Sequence, residues 1–201
     1  MNIAAPLGFH ARQKRATQEA ILDAVERRLS AGGLDELTFA DVGQEAGVSD
    51  RTVYRHFATK EALLEAFWLR VQETLGLEAS VRSFADYLAT RPATFERMDA
   101  REPMMRAVMA SDQARRARRG ILAERQAGIR RIVAEATGGL AEPEFTELCA
   151  LVHLLGSAPA WATLKDNWGI EGAEAGRLAA RAIETLIAAA KAPTPRTETE
   201  R

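Results

Sequence analysis

The chain has 201 residues, of which 47% are hydrophobic and 27% charged, and its formal net charge is -1. This composition is ordinary for a globular protein with a buried core, and it excludes a protein that coats nucleic acid through bulk positive charge. Apolar runs are far shorter than a membrane-spanning helix and the N-terminus lacks a secretory signal, so we expect a cytoplasmic protein with no membrane contact.

The first helix is predicted from about Arg15 to Ala31, after a disordered tail at residues 1–11, which show no helical period. Gly32-Gly33 end this helix, because glycine favours the backbone conformations found just past a helix end. Its apolar face consists of Ile21, Leu22, Val25 and Leu29.

A second, shorter helix is predicted to begin after Thr38. Thr38 and Asp41 have the spacing of a capping box, in which each side chain bonds the backbone N–H of the other residue. The apolar residues Phe39, Val42 and Ala46 then fall on one helical face. Gly47 is the residue expected just past the end, where the chain turns left-handed.

A third helix follows at once, because Ser49 can cap it and Val53 and Phe57 give it a buried edge. The side chains that point away from that edge are Arg51, Thr52, Tyr54 and Arg55. Thr59 then caps a further helix and places Lys60 in its first turn, where free N–H groups can bind a phosphate. Two short helices joined by a tight turn are typical of helix-turn-helix DNA binding.

Three segments of this region carry a family resemblance: Ala46-Gly47-Val48-Ser49, Thr52-Val53-Tyr54-Arg55-His56-Phe57 and Lys60-Glu61. Together they closely resemble the N-terminal domain of the tetracycline-repressor (TetR) family, and the similarity extends over about residues 12–67 without a gap. The resemblance implies a dimeric transcription regulator that binds double-stranded DNA with residues 50–55 as its recognition helix.

The resemblance also implies individual DNA contacts. Groove and phosphate contacts are expected from Thr52, Tyr54 and His56, and further phosphate contacts from Thr38 and Lys60. Arg51 and Arg55 occupy positions that vary within the family, so they are the candidates for reading bases, such as guanine O6 and N7.

Gly43 departs from the family pattern, since a small helix former such as alanine is usual at this position. We expect Gly43 to lower helix stability by about 0.5–1 kcal/mol without affecting any of these DNA contacts.

The middle of the chain is predicted to be helical throughout. A connecting helix covers 59–76, a helix through Phe84 ends before Pro92, and a further piece starts at Pro103. A long helix over about 111–136 is rich in arginine. Its arginines point around most of the circumference, which favours a solvated face, with an anionic-ligand or second DNA-facing patch as the alternative.

The C-terminal third contains a helix from Pro143, disturbed at Gly156 and Pro159 and continuing to Trp168, and an alanine-rich helix over about 171–191. Broad apolar faces on these two helices predict a homodimer in which they pair with their two-fold copies. The stretch 155–170 also resembles a C-terminal domain common in the family. Residues 191–201 are polar with two prolines and are predicted to be a disordered tail.

In the family, a small and largely apolar effector usually binds inside the C-terminal domain. Candidate pocket residues are Phe84, Tyr87, Met105, Met109, Cys149, His153 and Trp161. Residues of these types at helical spacing are more often ordinary core residues, which is the favoured interpretation for each of them. Cys149 and His153 are four residues apart, but with no third clear ligand we expect neither a metal site nor catalysis. No cofactor is expected, and the chain is not expected to be an enzyme.

The predicted architecture is all-α. It has a helix-turn-helix DNA-binding domain at 12–58, a connecting helix at 59–76 and a ligand-binding and dimerisation domain at 77–190. The predicted function is a transcriptional regulator, most simply a repressor released from a palindromic operator by its effector. The alternative is a protein-interaction module that keeps the helix-turn-helix shape without binding DNA.

Overall fold

The computed structural model describes residues 8–32, 37–75, 82–110, 116 and 122–191, and within these ranges all regular structure is α-helical. This confirms the predicted all-α class. The helices are α1 (Phe9–Gly32), α2 (Phe39–Ala46), α3 (Asp50–His56), α4 (Lys60–Leu75), α5 (Phe84–Asp99), α6 (Glu102–Ala110), α7 (Leu122–Thr137), α8 (Glu144–Leu155), α9 (Ala158–Trp168) and α10 (Gly172–Lys191).

The chain divides into two units, one within 1–71 and 101–120 and the other within 72–100 and 121–201. In the first unit, α1 packs against α2 and α6, and α2 packs against α3. Its fully buried side chains include Ile21, Val25, Leu29, Val42, Val53, Leu63, Leu64 and Phe67. The predicted apolar faces of the first three helices are therefore the faces that form this core.

The first helix begins at Phe9, six residues before the predicted start, so residues 9–11 are helical rather than part of a tail. Its first bond runs from the Arg12 N–H to the Gly8 carbonyl at 3.1 Å. The early turns are exposed and show no apolar period, although good helix formers such as Ala11 and Lys14 fill them. Periodicity marks only the part of a helix that packs against a core.

Helix α6 belongs to the first unit, whereas the sequence assigned it to the C-terminal domain. Its buried residues, Met104, Met105 and Val108, accompany its packing against α1. Just before α6, the guanidinium Nε of Arg101 lies 3.3 Å from a carboxylate oxygen of Glu26 on α1. Spatial contact rather than chain order decides where this helix belongs.

The second unit has its core where α5, α7, α8 and α10 meet. The buried cluster consists of Tyr87, Ile129, Ile132, Val133, Leu148, Cys149, Val152, Ile183 and Ile187. The most extensive helix contact in the molecule joins α5 to α10. At Gly176 the two backbones approach so closely that an added Cβ would lie 2.4 Å from the Arg91 carbonyl oxygen.

Helix α5 runs through Pro92 to Asp99, so the prediction that it ends before Pro92 is wrong. Proline costs a helix one hydrogen bond, because it has no N–H to donate to the residue four before it. Here α10 packs along α5 across that point, with Gly176 against the Pro92 Cα, and packing over the whole helix outweighs the local cost.

The predicted break after α8 is confirmed, because Gly156 and Ser157 separate α8 from α9 with a bend of 56°. Within the described ranges, no single helix is long and apolar enough to span a membrane, and only this bent pair passes that test when its two helices are joined. The first half of the predicted arginine-rich helix, apart from residue 116, and the tails at 1–7 and 192–201 lie outside the described residues.

Candidate nucleic-acid interface

The bracing helix α2 begins with the predicted capping box. The Asp41 N–H donates to the Thr38 hydroxyl oxygen at 3.1 Å, and the Thr38 N–H donates to the Asp41 carboxylate at 3.2 Å. The Thr38 hydroxyl also donates to that carboxylate. These bonds from Thr38, aided by the charge of Arg28, lower the pKa of Asp41 below its usual value. The backbone N–H and the hydroxyl of Thr38 are therefore already hydrogen-bonded within the protein.

The turn after α2 is left-handed at Gly47, with φ of 68°, as predicted. The Gly47 N–H donates to the Gln44 carbonyl, and the Val48 N–H donates to the Gly43 carbonyl at 2.9 Å. These bonds satisfy carbonyl groups that the helix end leaves free. The direction in which the chain enters α3 is thereby fixed by backbone geometry.

Gly43 lies directly against this turn, so the position is constrained by packing as well as by helix propensity. A Cβ at residue 43 would lie 2.8 Å from the Val48 carbonyl oxygen and 3.2 Å from the Asp50 nitrogen. Real Cβ atoms essentially never approach within 3.0 Å of another heavy atom. The absence of a side chain at Gly43 lets the turn lie against α2.

The candidate recognition helix α3 starts at Ser49, whose hydroxyl accepts from the Thr52 N–H at 3.2 Å. Val53 is fully buried and Phe57 is 4% exposed, which anchors one side of the helix. On the other side the side chains of Arg51, Tyr54 and Arg55 are exposed, as the sequence indicated. Thr52 is half-buried, with its hydroxyl 3.0 Å from that of Ser49.

Tyr54 is a large exposed aromatic residue, with 57% of its surface accessible. Its ring packs edge-to-face on Phe39, the first residue of α2, with ring centroids 4.4 Å apart and planes inclined by 68°. The sequence assigned Phe39 to the buried face of α2 but gave no signal for this ring pair.

His56, the last residue of α3, is half-buried. Partial burial lowers the pKa of its imidazole, and the positive charges of Arg55 and of Lys14 on α1 lower it further. At the start of α4, the Thr59 hydroxyl accepts from the Ala62 N–H at 3.1 Å, and Lys60 is the first helical residue. The basic residues Lys14, Arg55 and Lys60 thus lie in the same unit as the exposed side of α3.

Ion pairs from α1 hold α2 in place, a feature that sequence reasoning missed. Arg28 lies 3.2 Å from the Asp41 carboxylate, and Arg27 lies 2.6 Å from that of Glu45. A second guanidinium bond from Arg27 reaches the Glu45 carbonyl at 3.1 Å. Helix α2 carries no cation of its own, and these bonds from α1 add to the contacts of its buried apolar face.

The seven candidate pocket residues do not fall in one unit. Met105 and Met109 lie on α6 in the first unit, whereas Phe84, Tyr87, Cys149, His153 and Trp161 lie in the second.

Within the second unit, Tyr87 and Cys149 belong to the buried cluster and Phe84 packs against it. The Trp161 ring is fully buried and its Nε1–H donates to the Asp99 carboxylate at 2.7 Å, while His153 is half-buried. Tyr87 donates to the Val152 carbonyl and stacks under the Arg91 guanidinium, 4.0 Å from the ring centroid.

The Cys149 thiol is not activated, because burial raises its pKa. Only the thiolate is a good nucleophile or metal ligand, and a raised pKa reduces its population at neutral pH. In the part of the chain that the structure describes, no group of three or more His, Cys, Asp or Glu side chains could hold a metal ion.

The helix-turn-helix region is similar in sequence to a known family of regulatory proteins. Residues 21–67 match the sequence model for the tetR family of bacterial regulatory proteins. The tetracycline repressor protein class D of Escherichia coli is 29% identical over 86 residues, which are 41% of this chain and 39% of that protein. The HTH-type transcriptional regulator AlkX of Mycobacterium tuberculosis is 26% identical over 94 residues, 44% of each chain. The matched stretch thus spans about two fifths of these relatives.

Two solved structures share the fold over most of their length. A candidate tetR family transcription regulator from Shewanella sp. PV-4 superposes with a TM-score of 0.53 at 22% identity, covering 85% of this chain and 95% of that one. A candidate transcriptional regulator from Pseudomonas aeruginosa PAO1 gives 0.52 at 20% identity, covering 90% and 91%. The family match includes α2, the turn and α3. The helix-turn-helix formed by α2 and α3 thus lies within the stretch that matches the tetR family of bacterial regulatory proteins.

Proposed function

We propose that this protein is a sequence-specific DNA-binding transcriptional regulator whose helix α3 enters the major groove. The observation that carries the proposal is that α3 has one buried side and one exposed side. Val53 and Phe57 anchor one side in the core, and Arg51, Tyr54 and Arg55 are exposed on the other. A short helix braced by a second helix and showing basic and aromatic side chains has the form of a recognition helix.

Each exposed group has a role that follows from its chemistry. Arg51 and Arg55 carry planar guanidinium groups that can bond guanine O6 and N7, so they are assigned to base reading. Thr52, Tyr54 and His56 are assigned to groove and phosphate contacts.

Two further phosphate contacts are assigned to Lys60 and Thr38. Lys60 stands where the first turn of α4 offers free N–H groups to an anion. Thr38 is the weakest of these candidates, since a phosphate there would compete with its bonds to Asp41.

Affinity must come from few well-placed contacts, because residues 1–60 contain eight basic and eight acidic residues. Acidic side chains near α2 are partly neutralised by α1, through the pairs of Arg28 with Asp41 and Arg27 with Glu45. Such pairing lowers repulsion between the protein and the DNA backbone without creating a net positive surface.

The proposed active form is a homodimer through the two C-terminal helical segments, α8–α9 and α10. Support comes from large apolar side chains exposed on α8 and α9: Leu151 is 43% accessible, Leu154 is 54% accessible and Trp168 is 73% accessible. A two-fold dimer predicts a palindromic operator with half-sites about one helical turn apart.

Regulation is proposed to follow from a small, largely apolar effector bound in the second unit, which releases a repressor from its operator. The five candidate pocket residues of that unit remain candidates for its binding. The effector would favour a conformation whose recognition helices no longer match successive major grooves, and its effect cannot exceed its differential affinity for the two conformations. The protein is proposed to act in the cytoplasm, where the DNA is.

The experiment is selection of DNA from a randomised duplex pool by the full-length protein, followed by fluorescence anisotropy at several salt concentrations. We expect a palindromic site and a log–log salt slope of about -0.9 per phosphate contact. Arg55→Ala should weaken specific binding by about 1–3 kcal/mol, whereas Arg97→Ala on the exposed side of α5 should not. If no sequence is selected and the protein instead binds a protein partner without salt dependence, the interaction-module alternative is favoured.

A further inference from the structure

We propose that Phe39 is a positioning residue for DNA recognition, whose ring holds the Tyr54 side chain in the orientation that presents its hydroxyl to a DNA phosphate. This inference rests on the proposed function, since it concerns the same surface of α3. It assigns a role in binding to a side chain of the bracing helix that lies outside the predicted set of DNA contacts.

The Tyr54 side chain is exposed on α3. A tyrosine with 57% of its surface accessible, on a helix of seven residues, would be expected to sample several rotamers in the free protein. Fixing such a side chain on binding costs conformational entropy. A contact that fixes it beforehand removes that cost from the binding step.

The ring of Phe39 contacts the ring of Tyr54 in a favourable geometry. The Phe39 and Tyr54 rings meet edge-to-face at 4.4 Å between centroids and 68° between planes, an arrangement that aromatic quadrupoles favour. Phe39 is only 9% exposed, so it offers a fixed surface rather than a mobile one. No hydrogen bond to the Tyr54 hydroxyl is found among residues 8–32, 37–75, 82–110, 116 and 122–191, which leaves that group available for a phosphate oxygen.

Both rings project from backbone that is held in place. Phe39 directly follows Thr38, so the capping box with Asp41 sets the backbone from which its ring projects. Asp41 is in turn paired with Arg28 of α1 at 3.2 Å. The neighbouring Val53 is fully buried, which fixes the backbone at Tyr54. Both partners of the ring contact therefore stand on anchored elements.

A double-mutant cycle tests the proposal with the full-length protein and the duplex that the wild type selects. Phe39→Met keeps an apolar side chain of similar volume and removes the ring, and Tyr54→Phe keeps the ring pair and removes the hydroxyl. Each single change should weaken binding by about 2- to 10-fold. In the Tyr54→Phe background, Phe39→Met should have less than about a 2-fold effect, because there is no hydroxyl left to position.

Equal losses from Phe39→Met in both backgrounds would overturn the proposal, since they would show a structural role that is independent of the Tyr54 hydroxyl. Phe39→Tyr is the matched ring-retaining variant and should bind like the wild type. Failure of the wild type to select any duplex would instead reject the proposed function, and this inference with it. If the wild type selects a duplex but the substitutions at residues 39 and 54 show no coupling, this inference alone is rejected.

A measurement on the wild type covers the case in which Phe39→Met does not fold. The chain has two tyrosines, so labelling tyrosine with ¹³C gives NMR signals from Tyr54 and the buried Tyr87 only. We expect cross-peaks between the Tyr54 and Phe39 rings and a single Tyr54 χ1 rotamer in the DNA-free protein. Averaged rotamers in the free protein would contradict a preset orientation.

Discussion

The Val48 carbonyl oxygen lies so close to Gly43 that a Cβ added at residue 43 would be 2.8 Å from it. The helix-turn-helix of this protein is therefore closed by a backbone approach between α2 and its own turn. The glycine has a negative φ inside a helix, so the requirement is for space and not for an unusual backbone conformation.

Gly43→Ala is expected to lower the free energy of unfolding, although alanine is the better helix former. The propensity gain is at most about 1 kcal/mol, whereas overpacking against backbone typically costs about 1–3 kcal/mol. Urea unfolding followed by circular dichroism measures the difference. Gly128→Ala on α7 is the matched control, because its Cβ would meet nothing within 4 Å, and it should be stabilising. Equal stabilisation by both changes would contradict the close approach at Gly43.

DNA binding should strengthen as pH falls, through His56. Partial burial, with help from Arg55 and Lys14, holds the pKa of the free imidazole below its usual value of 6.5. A DNA phosphate beside the ring would favour the protonated form and raise that pKa, so binding takes up a proton. Anisotropy titrations from pH 8 to pH 5.5 should show the rise begin near the complex pKa and end below the free one. His56→Gln should flatten it.

The same lowered pKa predicts an opposite effect on folding. The unfolded chain, with a His56 pKa near 6.5, binds the proton more readily than the folded chain. The contribution of His56 to stability is therefore complete above pH 6.5 and is lost as pH falls through the folded pKa. Stability curves of the wild type and His56→Gln that are parallel across this range would count against the lowered pKa.

Glu26 should contribute more to stability than a surface acid, because it binds two helices to α1. Its carboxylate oxygens lie 3.1 Å from Arg70 on α4 and 3.3 Å from Arg101 beside α6. Only 16% of the Arg70 side chain is exposed, so its bond is less screened by solvent. Glu26→Gln should cost about 1 kcal/mol in urea unfolding, and less at high salt.

Arg27→Gln is the control for Glu26. Arg27 pairs with Glu45 at 2.6 Å, but its side chain is 54% exposed, and exposed pairs contribute about 0–1 kcal/mol. If both substitutions destabilise the protein equally, the bridging role of Glu26 is not supported.

Asp99 should be required for the packing of the second unit. It accepts the Nε1–H of the fully buried Trp161 at 2.7 Å and the ammonium of Lys165 at 3.0 Å. Lys165 also lies 2.9 Å from the Glu171 carboxylate. Asp99→Ala should cost about 1–3 kcal/mol, measured by urea unfolding, whereas Asp99→Asn, which keeps an acceptor oxygen, should cost less. Equal losses would show that the indole bond contributes little.

Leu154→Glu should weaken the proposed homodimer. Leu154 is 54% exposed on α8, three residues from the exposed Leu151, and a carboxylate there would have to be buried without a partner on pairing. Analytical ultracentrifugation over a range of concentrations measures the change. The control is Leu69→Glu on α4, which replaces a leucine that is 46% exposed. Dimers of undiminished strength with Leu154→Glu would place the interface elsewhere.

Much of the helix-turn-helix could be predicted from the sequence because its determinants are local. Thr38 and Asp41 form their capping box across three residues, Gly47 supplies one left-handed backbone position, and Ser49 caps the next helix. The buried edge of α3 and its exposed face follow from helical geometry once the caps are placed. The break between α8 and α9 was predictable for the same reason.

The tertiary structure decided what depends on contacts between distant residues. Packing against α10 carries α5 through Pro92, contacts with α1 draw α6 into the first unit, and the space beside Gly43 is set by where the turn lies. The Phe39–Tyr54 pair joins two helices across a turn, and its inclination depends on how those helices cross. The sequence by itself determined the local signals of caps, turns and apolar faces, and only the tertiary structure decided which of these elements meet, because packing energy is summed over residues that are far apart in the chain.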